Sequence, residues 1–544
     1  MPQAKSWRKE ITGRWTMSAE PNARMPVDVA ERLRAILASK DLTLYQVSQQ
    51  SEVLYGHSSP YFLPHNLYYD LRSGTFTLSI HQLAALSRVS GYRLNDWVRA
   101  FGFDLQDIVR LQVLLPSNRT VILNSTLDDA QAFVPRLESK AFHNPTPAMA
   151  PLSELLEFKN YSRLGALNIT TGNHLYAKIG GEDTLAFPEL LPGSIVRANV
   201  NFANDHVLRR NGATSNDLFL IEHSKGFYCC RLQVVEDRLI VPVSTQLPYG
   251  RVELQVPEEA RNLGVVDLEI RSLVRPEHPE VAMDLARHWR PRALEEPSKL
   301  GPLLRNSRMK MNLSLRDASA LSRRAADLLR NEQYFVSSSS LSDYEALDTP
   351  PRHFHKTITL CSLYGLQFNS FLRTIGIEPE SLGKEVVPDR FVGRDFLQVR
   401  ITGNMEDHPA GFLATLLRES AEIPFFLRDS LEALSGISEV SLDDCFWVGG
   451  ERNPLHPYLM KALVVIVNRR KRKPIHFRSK PLWEQPLYVL LKRDGTYLCA
   501  CCGLENGSLV VHPYSQEFYR ATRLRYHDDA EIVGQVVTIA RKLR

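Results

Sequence analysis

The chain has 544 residues, of which 44% are hydrophobic and 23% charged, with a formal net charge of +5. That is too long for one hydrophobic core and points to about three to five domains of ordinary size. No apolar run reaches about eighteen residues, which excludes a membrane-spanning helix, and the basic N-terminus lacks the apolar centre of a secretory signal.

Residues 1–25 read as a flexible tail ahead of a helical stretch at 26–108. Within 28–39, Val29, Leu33, Ile36 and Leu37 recur on one face at helical spacing. Thr43 and Gln46 spell a capping box that starts a second helix, with the small Ser48 on it. A third helix is expected around 64–71, after a long insertion at 52–63. A fourth carries Ile80, Leu83, Ala84 and Leu86, and a fifth carries Leu94, Trp97 and Val98. Residues 109–160, with NPTPAMAPLSE, have the composition of a semi-rigid linker. Residues 161–276 then supply short apolar strands such as IVRANV, DLFLIEH, GFYCCRLQVV and RLIVPVS, and 277–297 form a second linker.

The remainder repeats this order. Residues 298–380 are helical and 381–544 mainly β, with ALVVIV, PLYVLLK, TYLCACC and SLVVHPY as strands and hairpin signals at Asp494-Gly495 and Asn506-Gly507. Leu67 and Leu341, Gly91 and Gly365, Trp97 and Phe371, and Gly102 and Gly376 all stand 274 positions apart. LTLYQVS and LSLRDAS are 271 apart, which aligns Ser314 and Asp317 with the first capping box and Ser319 with Ser48. Gly264 and Gly534 open similar closing strands 270 apart. Matches in the same order at nearly constant spacing mark an internal duplication. The fold class expected is α+β, with two small all-α modules alternating with two mainly-β modules.

The seven cysteines include the adjacent pairs Cys229-Cys230 and Cys501-Cys502. Neighbours on a strand point to opposite faces and make poor disulfide partners, so a reducing cytoplasm and buried thiols are expected. Without paired C-x-x-C spacing or accompanying histidines, neither a metal nor another cofactor is expected. The run Arg469–Lys473 follows the strand LVVIV; a phosphate clamp and a solvated loop tip are both open for it.

LSLRDAS, SSSSLSDYE and the LYGLQFNSFLRTIG tail of the second helical stretch resemble the Cro/repressor-type helix-turn-helix family. LTLYQVS, NLYYDLRSGT and SGYRLNDWVRAFG carry the likeness in the first. The resemblance implies a third helix in the DNA major groove. It places Ser338, Ser339, Ser342 and Asp343, and in the first copy His65, Asn66, Tyr68 and Tyr69, against base edges, with Arg316 and Arg72 toward phosphate. Two departures stand out: insertions at 52–63 and 323–336 replace the tight turn, and leucine occupies positions 44 and 315.

Pro188 to Gly193, the following RL or GL strand and the closing G-x-V strand resemble the LexA-type repressor C-terminal domain. That family's self-cleavage uses a serine activated by a desolvated lysine. The serine position falls on Leu185 and Pro454, and the lysine position on Cys230 and Cys501. Thr184 and the bond Ala410-Gly411 offer no matching lysine partner, so no catalytic residue is expected. The expectation is a cytoplasmic DNA-binding regulator and not an enzyme. It acts as an internally duplicated pseudo-dimer on double-stranded DNA, with self-association through the β modules as a further partner and no membrane. The alternatives are a protein-interaction scaffold and, third, a self-cleaving repressor.

Overall fold

A computed structural model describes residues 29–73, 78–123, 131–135, 149–151, 164–168, 174–183, 185–203, 217–223, 226–235, 238–241, 252–255, 259–273, 299–388, 391, 442–448, 454–455, 462–475, 484–515, 517 and 519–543. The expected tail at 1–25, the linker at 277–297, much of 109–160, Thr184 and Ala410-Gly411 lie outside the described residues. Helices and antiparallel sheet make this a mixed α+β protein. The described residues of Met1–Asp104 and Glu380–Leu397 form one compact unit, and those of Leu105–Pro379 and Gln398–Arg544 form another.

The first unit contains five helices: α1 (Val29–Ala38), α2 (Leu44–Tyr55), α3 (Leu67–Arg72), α4 (Ile80–Ser90) and α5 (Leu94–Ala100). Leu33, Ile36, Leu37, Leu83, Leu86 and Trp97 are buried, as their helical spacing requires. Capping boxes at Thr43 and Ser79 satisfy backbone amides at the starts of α2 and α4. A segment far along the chain completes this unit. The amide of Gly383 donates to Ser87 Oγ at 3.1 Å, and that of Val387 donates to the buried Asp96 Oδ2 at 3.0 Å.

The second unit begins with α6 (Gln106–Leu114). Its first strands are β1 (Val121–Ile122), β2 (Gln131–Pro135), β3 (Met149–Pro151), β4 (Leu164–Asn168), β5 (His174–Lys178) and β6 (Ile195–Asn199). They are followed by β7 (Leu218–His223), β8 (Gly226–Arg231), β9 (Gln233–Val235), β10 (Arg238–Val241), β11 (Val252–Gln255) and β12 (Ala260–Ser272). Five helices come next: α7 (Leu300–Lys310), α8 (Leu315–Leu329), α9 (Ser338–Leu347), α10 (Phe354–Leu363) and α11 (Phe368–Thr374). The closing strands are β13 (Cys445–Val448), β14 (Ala462–Asn468), β15 (Leu487–Lys492), β16 (Tyr497–Glu505), β17 (Ser508–His512), β18 (Thr522–Arg525) and β19 (Ala530–Lys542). Helix α6 packs on α10, and Tyr334 donates to Asp107 Oδ2 at 2.8 Å.

The two β stretches agree pair by pair. Opposite β12, Ile195, Val196, Arg197, Ala198 and Asn199 face Ile270, Glu269, Leu268, Val266 and Val265. Opposite β19, Val464, Val465, Ile466, Val467 and Asn468 face Ala540, Ile539, Thr538, Val536 and Gln535, with the same skipped residue. On the far hairpin, Leu239 faces Leu254 and Leu509 faces Leu524, each 270 positions on. Register sets which face every side chain meets, so agreement on this scale means equivalent cores.

The two copies join strand to strand within one chain. Leu268 pairs with Lys542, Glu269 with Arg541, Ile270 with Ala540, Arg271 with Ile539 and Ser272 with Thr538. Each residue faces the counterpart of its mirror position, so a half-turn about the Ile270–Ala540 pair exchanges strands β12 and β19. This is the self-complementary arrangement of a two-fold dimer, carried by one polypeptide.

Candidate nucleic-acid interface

In the second helical set, α9 is held from behind. Leu341 is buried beneath it. Gly301 on α7 lies so near that an added Cβ would sit 2.5 Å from the Glu345 carbonyl oxygen. Arg308 grips Glu345 through two hydrogen bonds of 2.6 and 2.8 Å, and this pairing raises the arginine pKa. The start of α9 is capped by Ser337, whose Oγ accepts from the Ser340 amide at 3.2 Å. Ser338, Ser339, Ser342 and Asp343 are exposed, so all four predicted base-facing residues point away from the core. Arg316 is exposed at the start of α8.

The predicted insertion between the second and third helices is shorter than expected. Residues 323–329 belong to α8 and 52–55 to α2, and in α8 alanine and leucine favour the longer helix. The turn itself is built alike in both copies around a buried serine that repetition of the sequence alone had not singled out. Ser322 Oγ accepts from the Val336 amide at 3.0 Å and donates to the Ser319 carbonyl at 2.8 Å. Ser51 Oγ accepts from the Leu63 amide at 3.1 Å and donates to the Ser48 carbonyl at 2.8 Å. The signal was available: both serines recur at the 271-residue spacing of the capping boxes.

The first helical set differs at its third helix. His65, Asn66, Tyr69 and Arg72 are exposed, with Tyr69 at 71%. Tyr68 is not a base-facing residue. It is buried, its hydroxyl donates to Glu31 on α1, and Arg34 lies over its ring at 5.9 Å. Holding that proton for Glu31 raises the Tyr68 pKa. The correction is one of helix length: α3 spans only six residues, and Tyr68 follows Leu67 on the face that closes against α1.

His355 on α10 lies edge-on to Tyr334, with ring centres 4.8 Å apart. Burial, and then the nearby His353, lower its pKa from 6.5 to about 4. The unfolded chain therefore takes the proton first as pH falls, and stability is lost between those two values. The expected loss between neutral pH and pH 4 is about 2 kcal/mol after solvent screening. Denaturant unfolding at several pH values checks this; a His355→Gln variant with the same acid dependence as the parent would contradict it.

The β modules present no serine–lysine pair at the aligned positions. Leu185, Pro454 and both adjacent cysteine pairs are buried. Burial pushes the Cys501 thiol up to about 12 and drives Cys230 higher still, so both are protonated near neutral pH. The ladders also correct one equivalence. Cys229 faces Leu220 and Cys499 faces Val489, which makes Cys229 and Cys499 counterparts. Cys230 then corresponds to Ala500, and Cys501 to Arg231. Cys230 and Cys501 lie in unlike cores, the first with Phe219 and Leu254, the second with Leu487 and Val489. An adjacent-cysteine motif slides by one residue without visible penalty in sequence, whereas a strand partner cannot. No group of three or more potential metal-ligating side chains occurs among the described residues.

No family model matches the sequence, and no curated protein matches it. A solved structure of Streptomyces albus HEPD with substrate 2-hydroxyethylphosphonate and Fe(II) bound aligns at 10% identity over 95% of this chain and 91% of that one. Its TM-score of 0.14 does not establish a shared fold. No helix among the described residues is long and apolar enough to cross a membrane.

Proposed function

We propose that the chain is a cytoplasmic, sequence-specific DNA-binding regulator of repressor type, in which one polypeptide does the work of a dimer. The observation that carries the reading is the presentation of α9. Ser339, Ser342 and Asp343 project outward from a helix fixed by the Arg308–Glu345 pair and the Gly301 contact. Small polar side chains on a rigid outward helix suit base edges in a major groove. The β modules serve assembly in this reading and carry no self-cleavage chemistry. Because His65, Asn66 and Tyr69 differ from Ser338, Ser339 and Asp343, the two half-sites of the target differ as well.

Selection of bound sequences from a random duplex pool tests the proposal. Ser339→Ala with Ser342→Ala is expected to relax preference at the contacted bases by about 1–3 kcal/mol each, with thermal stability unchanged. An unaltered preference, or no duplex retained at low salt, would remove the reading.

A second reading, docking of a protein partner by the first helical set, has its own support. Tyr45 and Val53 on α2 are 64% and 86% exposed on one face. The positions 271 residues later are Arg316 and Arg324, both exposed. One copy thus presents cations where the other presents apolar surface, and a division of labour follows in which only the second set meets phosphate.

A further inference from the structure

The duplication gives every surface feature of one copy a control in the other, and one feature stands out against it. Strands β6 and β14 both end in asparagine and enter the same turn. Asn199 Oδ1 accepts from the Asn201 amide at 3.0 Å, and Asn468 Oδ1 accepts from the Arg470 amide at 3.0 Å. Beyond that point the copies diverge. The first continues as Val200, Asn201 and Phe202, in a single 3-10 turn whose phenylalanine packs onto the core. The second continues as Arg469, Arg470, Lys471, Arg472 and Lys473, all exposed.

This basic turn is braced along its length. Arg469 Nε donates to Asp444 Oδ1 at 3.1 Å, and the same guanidinium reaches the Asp443 carbonyl. The Lys471 amide returns to the Asn468 carbonyl at 3.1 Å, and Arg472 Nε donates to the Arg469 carbonyl at 2.9 Å. The far end is held by Tyr488, whose ring is buried in the sheet. Its hydroxyl donates to the Lys473 carbonyl at 3.0 Å and accepts from the Ile475 amide at 3.1 Å. The β7 and β15 registers make Phe219 the counterpart of Tyr488, so the copy that has Val200, Asn201 and Phe202 in place of the first three cations also lacks the hydroxyl. The Arg469–Lys471 cations and the hydroxyl that fixes their backbone occur together in one copy, and at the aligned described positions Val200, Asn201, Phe202 and Phe219 of the other both are replaced. No carboxylate among the described residues pairs with Arg470, Lys471 or Lys473.

We infer that the Arg469–Lys473 turn is a phosphate clamp for duplex DNA, contributed by the second β module alone. The choice of polyanion rests on the DNA-binding reading above. Fixed backbone geometry favours a regularly spaced phosphate chain, where prepositioned guanidiniums form paired hydrogen bonds. An anionic membrane attracts a basic segment through diffuse charge and needs apolar insertion or a lipid anchor to retain it, and among the described residues Ile475 is the one exposed large apolar side chain beside the run.

The test is the salt dependence of binding by the full chain to a random-sequence duplex. Replacing Arg470, Lys471, Arg472 and Lys473 by glutamine is expected to lower the slope of log affinity against log salt by about 3 in magnitude. Tyr488→Phe, which imports the first copy's side chain and keeps every charge, is expected to weaken binding about fivefold with the slope unchanged. Three results would overturn the clamp: an unchanged slope in the glutamine variant, no duplex binding by the parent chain at low salt, or loss of binding seen on phosphatidylserine-containing vesicles while the duplex is held as before. The Ser339→Ala, Ser342→Ala variant separates the two proposals, because it alters which sequence is preferred and leaves the slope intact.

Discussion

Glu269→Gln is expected to lower unfolding stability by about 3–5 kcal/mol. Glu269 is fully buried at the strand junction and balances two guanidiniums at once. Its Oε1 accepts from Ser194 Oγ at 2.8 Å and from Arg271 Nε at 2.9 Å, and its Oε2 accepts from Arg541 Nε at 2.6 Å. Both arginines also donate to the Glu189 carbonyl, at 2.5 and 2.6 Å. Arg271 and Arg541 are counterparts, but the counterpart of Glu269 is Ile539, so both guanidiniums turn to the same carboxylate, which the first copy contributes. Glutamine would remove the negative charge that both guanidiniums contact.

Burial alone would raise the Glu269 pKa, but the two arginines outweigh it and hold it below the ordinary carboxylate value of 4.5. Its stabilising contribution is therefore present above that value and is lost as pH falls through the lower folded pKa. Denaturant titrations of parent and variant at neutral and acidic pH measure both effects. A variant within about 1 kcal/mol of the parent at neutral pH would show that the junction does not depend on this charge.

Gly264→Ala and Gly534→Ala form the second large pair of effects, at about 2–4 kcal/mol each. A Cβ at Gly264 would stand 2.5 Å from the Asn199 carbonyl oxygen, and one at Gly534 would stand 2.5 Å from the Asn468 carbonyl oxygen. Backbone cannot yield as a flexible side chain does, and Gly264 has in addition a φ of +152° that L-residues rarely adopt. Both glycines sit at a register shift where β12 and β19 cross from one neighbour to the next. Thermal unfolding of the two single variants provides the comparison. Tolerance at either site would break the claimed equivalence of the copies.

The duplication was legible because glycines, capping boxes and closing strands hold their spacing under different side-chain constraints. The five-helix pattern was legible for the same reason: Trp97 and Phe371 occupy one large core position, and helical periodicity marks the residues around it. Outward residues of a short helix were harder to place. Tyr68 and Tyr69 have the same composition and differ by one step of rotation, which decides between burial and 71% exposure. Glu269 carried no sequence signal, since a lone glutamate on an apolar strand acquires its meaning only from arginines at 271 and 541. The same holds for Tyr488, whose role depends on a turn fifteen residues earlier.

The segment at 383–387 that completes the first helical unit has a consequence during synthesis. Val387 follows its partner Asp96 by 291 residues. At about 5–20 residues per second it leaves the ribosome roughly 15–60 s later. The first helical unit therefore emerges early but waits, with the seat for Val387 empty, until most of the chain has been made. For the same reason the gene cannot be divided at its midpoint into two self-sufficient products. The upstream half would carry α6 without the α10 it packs against, and the downstream half would carry the closing segment without the module it closes. Two such fragments would be expected to become whole only in each other's presence.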